Sequence, residues 1–419
     1  MECNNPDKLA SLKKTPSMRI VLLLICLATI NSFAQETFIS IKGKLLDSKL
    51  NQPIPYASVY VKGSSIGTTT NDDGVFVFHI PSTLQSDTLI ISVIGYDHFK
   101  SVVRAMNDKE NIVQLRQSST VLSEVVVKAS KKDLTGRDIV KKAVAGIPSN
   151  YPMKPFLIEG FFRDLQKEND KPVELLEAAL KFRYKDYNPG YEDVEIIEVR
   201  RSINKRHPIN GTYDRHNSIF DLMEDNYVKH RFGPLDIKGW KFEIDSIFAY
   251  NQSIVYKISG AKGPSQTATM FIDRENFAIL KLELRMQMVN GEFYRRYLNL
   301  PDPYGLQETS FRMIFEFQRI DDKMYLKYQR EEDSYNLFNK STNEVILKQS
   351  FMKELFVNKV MKDDVDSTAG QKMNINKSVE GQANSFNVVF WKYYNVPAET
   401  AVDSKIIKDL EDLNLGNNK

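Results

Sequence analysis

The chain has 419 residues, of which 42% are hydrophobic and 26% are charged. This composition is ordinary for a folded protein of about two or three domains, so it excludes wholesale disorder and collagen-like repeats. The 57 lysines and arginines stand against 54 aspartates and glutamates, giving a net charge of +3. That balance argues against a nucleic-acid partner, which would require a basic surface.

An export signal is predicted at the N-terminus. An apolar run at residues 20–30 follows basic residues and precedes small residues that end at Ala34. This order of charged, apolar and small-residue segments is typical of a secretory signal peptide, and the run is shorter than the ~20 residues of a spanning helix. We expect residues 1–34 to be removed so that the mature chain begins at Gln35, with Met18 as an alternative start.

Both cysteines, Cys3 and Cys26, lie inside this predicted signal. The mature chain would therefore form no disulfide and offer no thiolate nucleophile or cysteine metal ligand. Cys26 follows the bulky Ile25, whereas a bacterial lipoprotein signal has a small residue before its cysteine, so we interpret Cys26 as part of the apolar run. No later stretch is apolar enough to cross a membrane as a helix. We expect an exported protein in the periplasm or at the outer membrane.

Residues 35–117 have the pattern of an all-β domain. Short β-rich runs alternate with turn residues at a spacing of about 8–12 residues, which is typical of a β-sandwich. The stretch resembles the carboxypeptidase regulatory-like domain, a transthyretin-like sandwich. The residues that carry the resemblance are Ile41-x-Gly43-x-Leu45-x-Asp47, Pro53-Ile54-x-x-Ala57-x-Val59-x-Val61-x-Gly63, Gly67-Thr68-x-Thr70-Asn71-x-x-Gly74-x-Phe76-x-Phe78-x-Ile80-Pro81 and Ile94-Gly95-Tyr96.

The resemblance implies a non-catalytic module. In that family the domain is appended to peptidases and, in Bacteroidota, to TonB-dependent receptors and many surface or periplasmic proteins. Asn71 stands where the family more often has Asp, a change that keeps the turn chemistry. Gly74 is expected to close a tight turn, and Phe76 and Phe78 to point into one core. Residues 118–133 are predicted to be a linker.

An α+β domain is predicted for residues 134–419. It begins with a helix capped by Thr135 and Asp138, and it closes with a capped helix at residues 403–415. Residues 173–182 are a further helix candidate, with a strand as the alternative. Apolar and charged residues alternate along the strands predicted between these helices, which is typical of an antiparallel sheet covered on one side.

This second region weakly resembles the outer-membrane lipoprotein carrier fold, in which a curved antiparallel sheet wraps helices and can hold acyl chains. The local feature is Ile272-Asp273 followed by Ala278-Ile279. The region also resembles uncharacterised exported Bacteroidota proteins. The predicted fold class is therefore mainly β, a transthyretin-like sandwich followed by an α+β domain with a long, half-barrel-like antiparallel sheet and a few helices.

The apolar strand faces supply the candidate ligand-binding residues. These faces either line a groove for an apolar ligand or form a filled core. The residues that would line the groove are Phe242, Ile244, Leu282, Leu284, Phe315 and Phe317. A filled core is the more common role of such a face, because every one-sided sheet needs one. The sequence alone does not choose between the ligand groove and the filled core.

No catalytic, cofactor or metal site is predicted. Residues 63–67 match the G-x-S-x-G pattern of a serine hydrolase, but a further turn and strand follow where that motif needs a helix. The histidines also lack the spacing of a zinc motif; they are His79, His98, His207, His216 and His230.

Three functional hypotheses follow from the sequence. The first is a non-enzymatic cell-envelope protein that binds or carries an apolar ligand such as a lipid or an acyl chain. The second is an envelope assembly or adaptor protein that uses the sandwich to dock another envelope protein. A hydrolase is a distant third.

Overall fold

The computed structural model describes residues 37–107, 109–118, 134–187, 191–203, 237–250, 253–287, 297–298, 300, 302–362, 371–374, 379, 382 and 387–417. The predicted signal peptide, with its cleavage site at Ala34 and Gln35, and linker residues 119–133 lie outside them. Residues 39–419 form one compact unit, and the contacts discussed below lie within it. The predicted fold class is confirmed, because strands dominate the described residues.

Seven strands belong to the first region. They are β1 (Phe38–Asp47), β2 (Ser58–Val61), β3 (Gly67–Thr69), β4 (Val75–Pro81), β5 (Thr88–Ser92), β6 (Phe99–Val102) and β7 (Glu110–Leu115). The strands of the second region are β8 (Phe156–Glu168), β9 (Lys171–Tyr184), β10 (Tyr191–Ile203), β11 (Lys241–Tyr250), β12 (Ser253–Lys262), β13 (Gln266–Asp273), β14 (Ile279–Gln287), β15 (Tyr297–Leu298), β16 (Tyr304–Ile320), β17 (Lys323–Asn339), β18 (Val345–Met361) and β19 (Gln371–Lys372).

The first region is a sandwich of two small sheets. Their strand orders are β4-β1-β7, in which β1 and β7 are parallel, and β3-β2-β5-β6. Phe76 and Phe78 are fully buried between the sheets, as their alternation predicts. Gly74 has φ +71°, and a Cβ there would lie 2.5 Å from the Leu45 carbonyl oxygen, so the turn before β4 requires glycine.

The second region is built on one long sheet. In the described residues its strand order is β11-β12-β13-β14-β16-β17-β18-β8-β9-β10-β19, with β15 paired to β16. Each of these pairs is antiparallel. Strands β16, β17 and β18 have 17 residues each, so they extend well beyond the shorter β12 to β14. The boundaries that we place at residues 35–117, 118–133 and 134–419 stay predictions.

Four described helices accompany the sheet: α1 (Gly136–Ala145), α2 (Ile147–Asn150), α3 (Val388–Tyr393) and α4 (Ala401–Asn417). The predicted cap of α1 is confirmed, since Thr135 and Asp138 form a reciprocal capping box. Helix α4 begins two residues before the predicted start at Asp403. The Thr400 hydroxyl accepts a hydrogen bond of 3.0 Å from the Asp403 amide, and Thr400 is therefore its capping residue.

The helix candidate at residues 173–182 is wrong, because this segment lies in strand β9. Its leucines, alanines and glutamates are good helix formers, but β9 pairs along most of its length with β8 on one side and β10 on the other. Leu176, Ala178 and Leu180 face one buried layer, and Ala179 faces another. Tertiary pairing overrides local helix propensity here.

The long sheet has two faces that we name by their neighbours. The inner face carries Leu282, Phe315 and Leu355 and packs against α1 and α2. The outer face carries Tyr328 and Phe356 and packs against the sandwich, α3 and α4. The predicted cover on one side only is wrong for the central strands, because these three elements also bury outer-face residues such as Glu316, Arg163 and Glu354.

Candidate functional site

Five of the six predicted groove residues come together on the inner face. Phe242, Leu282, Leu284, Phe315 and Phe317 belong to one cluster of buried apolar side chains and are each no more than 9% exposed. Leu282 lies directly opposite Phe315 across β14 and β16, and Leu284 lies opposite Met313. These side chains pack against their neighbours in the described structure, and their predicted role as a ligand groove stays a prediction.

Ile244 is separated from the other five residues. Its side chain is 39% exposed, although Phe242, two residues earlier on β11, is 9% exposed. The pairing register of β11 with β12 shifts between Ile244 and Ser246, which marks a β-bulge. Ile244 itself precedes the bulge and lies opposite the buried Ile258, so it is on the same face as Phe242. Its exposure follows from its position on β11, the end strand of the sheet in the described residues, which the sequence pattern does not reveal.

Helices α1 and α2 are fastened to the sheet that they cover. The backbone of Gly136 lies so close to β11 that a Cβ would meet the Phe242 carbonyl oxygen at 2.7 Å. After α2, the Tyr151 hydroxyl donates a 2.9 Å hydrogen bond to the carbonyl of Ile279, and burial raises the pKa of Tyr151. The Asn150 amide bonds the carbonyl of Asn276 at 2.9 Å. A molecule could reach the inner face here only if these contacts opened.

A row of charged side chains interrupts the apolar inner face. Glu331, Lys353 and Asp164 lie directly opposite one another on β17, β18 and β8, between Met313 and Leu176. Their exposed fractions are 3%, 1% and 3%. The Lys353 ammonium lies 3.4 Å from a carboxylate oxygen of Glu331. Charges this deeply buried are costly, so their placement calls for a structural or functional reason.

Two buried acceptors near this row have no hydrogen-bond partner within the described residues. They are the second carboxylate oxygen of Glu331 and the side-chain oxygen of Gln349. Gln349 lies on β18 on the same side of the sheet as Lys353, four residues away, and is 3% exposed. Nearly all buried polar groups in proteins are satisfied, so such acceptors can receive a hydrogen bond from a bound molecule.

This polar row was not predicted from the sequence. Residues 330–333 read Arg-Glu-Glu-Asp, and a charged run usually marks a solvated surface. The alternation of β17 does place Glu331 on the same face as the buried Tyr335 and Leu337. That pattern is a weak clue, because only the pairing with β18 brings Glu331 opposite Lys353.

The sandwich is attached to the outer face by specific side-chain contacts. Tyr56 stacks on Tyr328 with ring centroids 5.4 Å apart, and the guanidinium of Arg330 donates a 2.6 Å hydrogen bond to the Tyr56 hydroxyl. This hydroxyl also bonds Asp72. The pKa of Tyr56 is raised, chiefly because the hydroxyl is buried. Asp72 belongs to the turn of the sandwich motif that runs from Asn71 to Gly74.

A second set of contacts joins the sandwich to the chain between α3 and α4. The side-chain amide of Asn71 donates a 2.8 Å hydrogen bond to the Ala398 carbonyl. Asn395 accepts a hydrogen bond from the His79 amide at 2.8 Å and donates one to the His79 carbonyl at 3.1 Å. Asn395 thereby pairs with the backbone of β4 as another strand would. The outer face therefore holds the sandwich in a defined orientation.

Most outer-face charges form ion pairs with one another. Glu316 lies 2.5 Å from the ammonium of Lys281 and 3.1 Å from that of Lys327. Burial raises the pKa of Glu316, but the two ammonium groups outweigh it and lower the pKa to about 2. Glu177 likewise pairs with Arg163 at 2.7 Å and with Arg200 at 2.5 Å. These pairs satisfy charges within the fold, so they offer little to a ligand.

The described histidines do not assemble a reactive or metal-binding centre. His79 lies on β4 within 2.8 Å of the Ser40 hydroxyl, and His98 contacts the ring of Tyr250. His207, His216 and His230 lie outside the described residues. Within the described part of the chain there is no group of three His, Cys, Asp or Glu side chains placed to hold a metal ion. No described helix is long and apolar enough to cross a bilayer.

Comparison with known proteins identifies the first region. Residues 41–127 match the family profile of the CarboxypepD_reg-like domain, so the predicted resemblance is confirmed. Over 124 residues the chain is 35% identical to the TonB-dependent receptor SusC of Bacteroides thetaiotaomicron. The match covers 28% of this chain and 11% of the receptor, so the chain spans only a small part of that relative.

Solved structures similar to this chain include lipoprotein-carrier-like proteins. The LolA superfamily protein NE2245 of Nitrosomonas europaea is 9% identical, with 56% of this chain and 99% of that chain covered and a TM-score of 0.20. A DUF1329 family protein of Desulfovibrio piger is 9% identical, with 55% and 95% covered and a TM-score of 0.25. The weak resemblance noted in the sequence is thus found again, but at these TM-scores it carries no argument about ligand or partner.

Proposed function

We propose that this chain is a non-enzymatic binding protein of the cell envelope that holds an apolar ligand, such as an acyl chain, against the inner face of the long sheet. The observation that carries the proposal is the inner face itself. Its apolar side chains form one continuous cluster from β11 across the sheet to β10, and the described helices that pack on it are α1 and α2. A single sheet layer with so wide an apolar face needs a cover, and a ligand can supply part of it.

The ligand enters by displacing the helical cover. The predicted groove residues are buried, so an acyl chain gains contact with Leu282 or Phe315 only after α1 and α2 shift. These helices are held by the Gly136 contact with Phe242 and by the hydrogen bonds of Asn150 and Tyr151. Arg137 also bonds the Trp240 carbonyl, Lys323 bonds the Ser149 carbonyl, and the buried apolar side chains of α1 and α2 pack on the sheet. The apolar area gained from the ligand offsets the contacts that are lost.

The polar row gives the ligand an orientation. An acyl chain packs on the apolar end near Leu284, and its polar end lies toward Glu331 and Gln349. The unpartnered oxygens of these two residues accept hydrogen bonds from hydroxyl, amide or ammonium groups of the ligand. A location in the cell envelope agrees with the export signal that the sequence predicts. It also agrees with the similarity of part of the chain to the receptor SusC.

Native mass spectrometry tests the binding proposal. Protein purified from its native envelope should carry a bound lipid or fatty acid, and Leu284→Ser should reduce the bound fraction. Leu45→Ser is the matched control, because Leu45 is equally buried in the sandwich core. Leu45→Ser should lower stability and leave the bound fraction of the folded protein unchanged.

Thermal melting separates the binding role from a filled core. Leu284 is packed in the closed, ligand-free fold, so Leu284→Ser leaves a cavity and a buried hydroxyl that cost about 2–5 kcal/mol whether or not a ligand binds. Added fatty acid should raise the melting temperature of the unaltered protein, because it binds only the folded state, and should raise that of Leu284→Ser less. A melting temperature that fatty acid leaves unchanged contradicts the proposal.

A second candidate function is supported by an exposed apolar patch beside the sandwich contact. Val388 and Val389, which are consecutive on α3, are 64% and 68% exposed. Tyr393, which packs its ring against His79, is 43% exposed. Grouped apolar side chains on a surface are typical of protein contacts, so an adaptor that docks another envelope protein would use this patch.

Photocrosslinking in the native envelope tests the adaptor function. A photoreactive residue at position 389 should capture one defined envelope protein. The same residue at position 112 is the control, because Ile112 lies on the sandwich and is 70% exposed. One product from position 389 that is absent from position 112 favours the adaptor. Identical products from both positions, or none, contradict it.

A further inference from the structure

A cleft of about 370 Å³ crosses the outer face of the sheet, away from the inner-face site. Its floor is a row of residues that lie directly opposite one another on five strands. From β14 to β8 they are Gln287, Ser310, Ser334, Ser350 and Lys167. Adjacent strands are ~4.8 Å apart, so the row is roughly 19 Å long.

The cleft exists because its floor is made of small side chains. Three successive strands contribute serine at the same level, and each serine is partly exposed. The next row on the outer face, two residues along each strand from the serines, carries the larger side chains of Arg312, Glu332 and Met352. These longer side chains rise above the serines and form one wall of the cleft. Met352 also packs beside α4.

The floor presents hydrogen-bonding groups that the protein does not use. Within the described residues, the hydroxyls of Ser310, Ser334 and Ser350 have no hydrogen-bond partner, and the ammonium of Lys167 has no carboxylate partner. This contrasts with Arg312 and Arg330 on the walls, which pair with Glu332. A hydroxyl both donates and accepts, whereas an ammonium only donates.

The geometry points to a binding site for a small hydroxylated anion, such as a sugar phosphate or a sugar carboxylate. The phosphate or carboxylate group binds Lys167 at one end of the row, and the sugar hydroxyls bind the serines and Gln287. Lys167 is the basic side chain that the cleft offers to an anion, because the three arginines of its described lining, Arg285, Arg312 and Arg330, are paired with glutamates. Charge-assisted hydrogen bonds to the ammonium supply the largest part of the affinity.

Isothermal titration calorimetry on the full mature chain tests this site with four kinds of probe, three small molecules and one matched set of vesicles. Glucose 6-phosphate carries both features, whereas glucose has only the hydroxyls and inorganic phosphate only the charge. Phosphatidylcholine vesicles with and without phosphatidylinositol present the same chemistry on a lipid. Glucose 6-phosphate should bind more tightly than glucose or phosphate. Binding only to the phosphatidylinositol vesicles would also support the site and would assign the ligand to a lipid headgroup.

Three variants connect the binding to the cleft. Lys167→Gln should weaken glucose 6-phosphate binding roughly tenfold or more, because the charged partner is lost. Ser334→Leu should abolish binding by filling the middle of the floor. Ser334→Ala, which replaces it if the leucine variant does not fold, should weaken binding because one hydroxyl is lost. Lys241→Gln, an exposed lysine on β11 outside the cleft, is the matched control and should bind as the unaltered protein does.

Two outcomes overturn the inference. One is the absence of binding for all four probes. The other is equal binding by the unaltered protein and by Lys167→Gln and Ser334→Ala, which would place the ligand elsewhere. Lys167 and Ser334 lie on the outer face, so the absence of sugar phosphate binding would not contradict the acyl-chain proposal. Loss of lipid in Leu284→Ser likewise leaves this cleft unaffected.

Discussion

The two faces of the long sheet bury charged residues in different ways. On the outer face, Glu316 has two ammonium partners, and the sandwich and α4 cover the sheet through matched contacts. On the inner face, Lys353 has a 3.4 Å contact with one oxygen of Glu331, while the other oxygen accepts no hydrogen bond within the described residues. Glu316 on the outer face is therefore fully paired within the fold, whereas Glu331 on the inner face keeps one buried oxygen without a described partner.

The largest effect is expected from breaking the inner ion pair. Lys353→Met leaves Glu331 buried without its described cation, and such a change costs about 3–5 kcal/mol of unfolding free energy. Urea unfolding measures it. The double variant Lys353→Met/Glu331→Leu should recover part of the loss, because the Glu331 charge is gone while Asp164, opposite Lys353, stays buried. On the outer face, Lys281→Met should cost less, since Lys327 still pairs with Glu316. An equal loss for Lys353→Met and Lys281→Met would contradict the comparison.

A smaller effect is expected at the contact between the sandwich and the outer face. Tyr56→Phe keeps the stack on Tyr328 but removes the hydroxyl that bonds Arg330 and Asp72, and leaves a buried charged partner less satisfied. We expect a loss of about 1–3 kcal/mol in urea unfolding. Tyr56→Ala should cost more because the stacked ring is also removed. A neutral Tyr56→Phe variant would mean that this hydroxyl does not hold the sandwich in place.

Acid should weaken the outer face through Glu316. The pKa of this carboxyl is about 2 in the fold against an ordinary value of 4.5, so its ion pairs stabilise the protein fully above pH 4.5. That stability is lost as the pH falls from 4.5 toward 2, where the folded carboxyl becomes protonated. Melting temperatures across this range should fall less steeply in Glu316→Gln than in the unaltered protein. Parallel curves would exclude Glu316 as a source of the acid sensitivity.

The smallest effect is expected at Ile244. This residue belongs to the predicted groove by sequence, yet it is 39% exposed, whereas Leu284 is 4% exposed. Ile244→Ser should change the unfolding free energy by less than about 0.5 kcal/mol, as surface substitutions usually do. It should also leave the amount of bound lipid unchanged. If Ile244→Ser removes as much lipid as Leu284→Ser, then the ligand reaches the exposed end strand β11.

Local chemistry made parts of the fold predictable from sequence. The turn at Gly74 requires a glycine, the alternation of Phe76 and Phe78 identifies a sandwich strand, and the Thr135–Asp138 capping box marks the start of α1. Each depends on residues only a few positions apart. The shared buried face of Phe242, Leu282, Leu284, Phe315 and Phe317 likewise followed from alternation within single strands, while their role as a groove stays a prediction.

The features that escaped prediction depend on strand pairing. Strand β9 has the composition of a helix, and only its neighbours β8 and β10 make it a strand. Glu331 and Lys353 are 22 residues apart and meet because β17 and β18 pair in one register. A slip of one residue would move every side chain to the opposite face, so sequence periodicity alone cannot identify such a pair.

The two tryptophans of the chain allow a direct test of ligand position, because one lies on each face. Trp240 belongs to the inner-face cluster and stacks on Phe242, whereas Trp391 packs against Phe161 on the outer face. A brominated fatty acid quenches only those indoles that it contacts. We predict that it quenches the fluorescence of Trp391→Phe, which retains Trp240, and leaves Trp240→Phe unquenched. Equal quenching in both variants, or quenching of Trp391 alone, would contradict a ligand on the inner face.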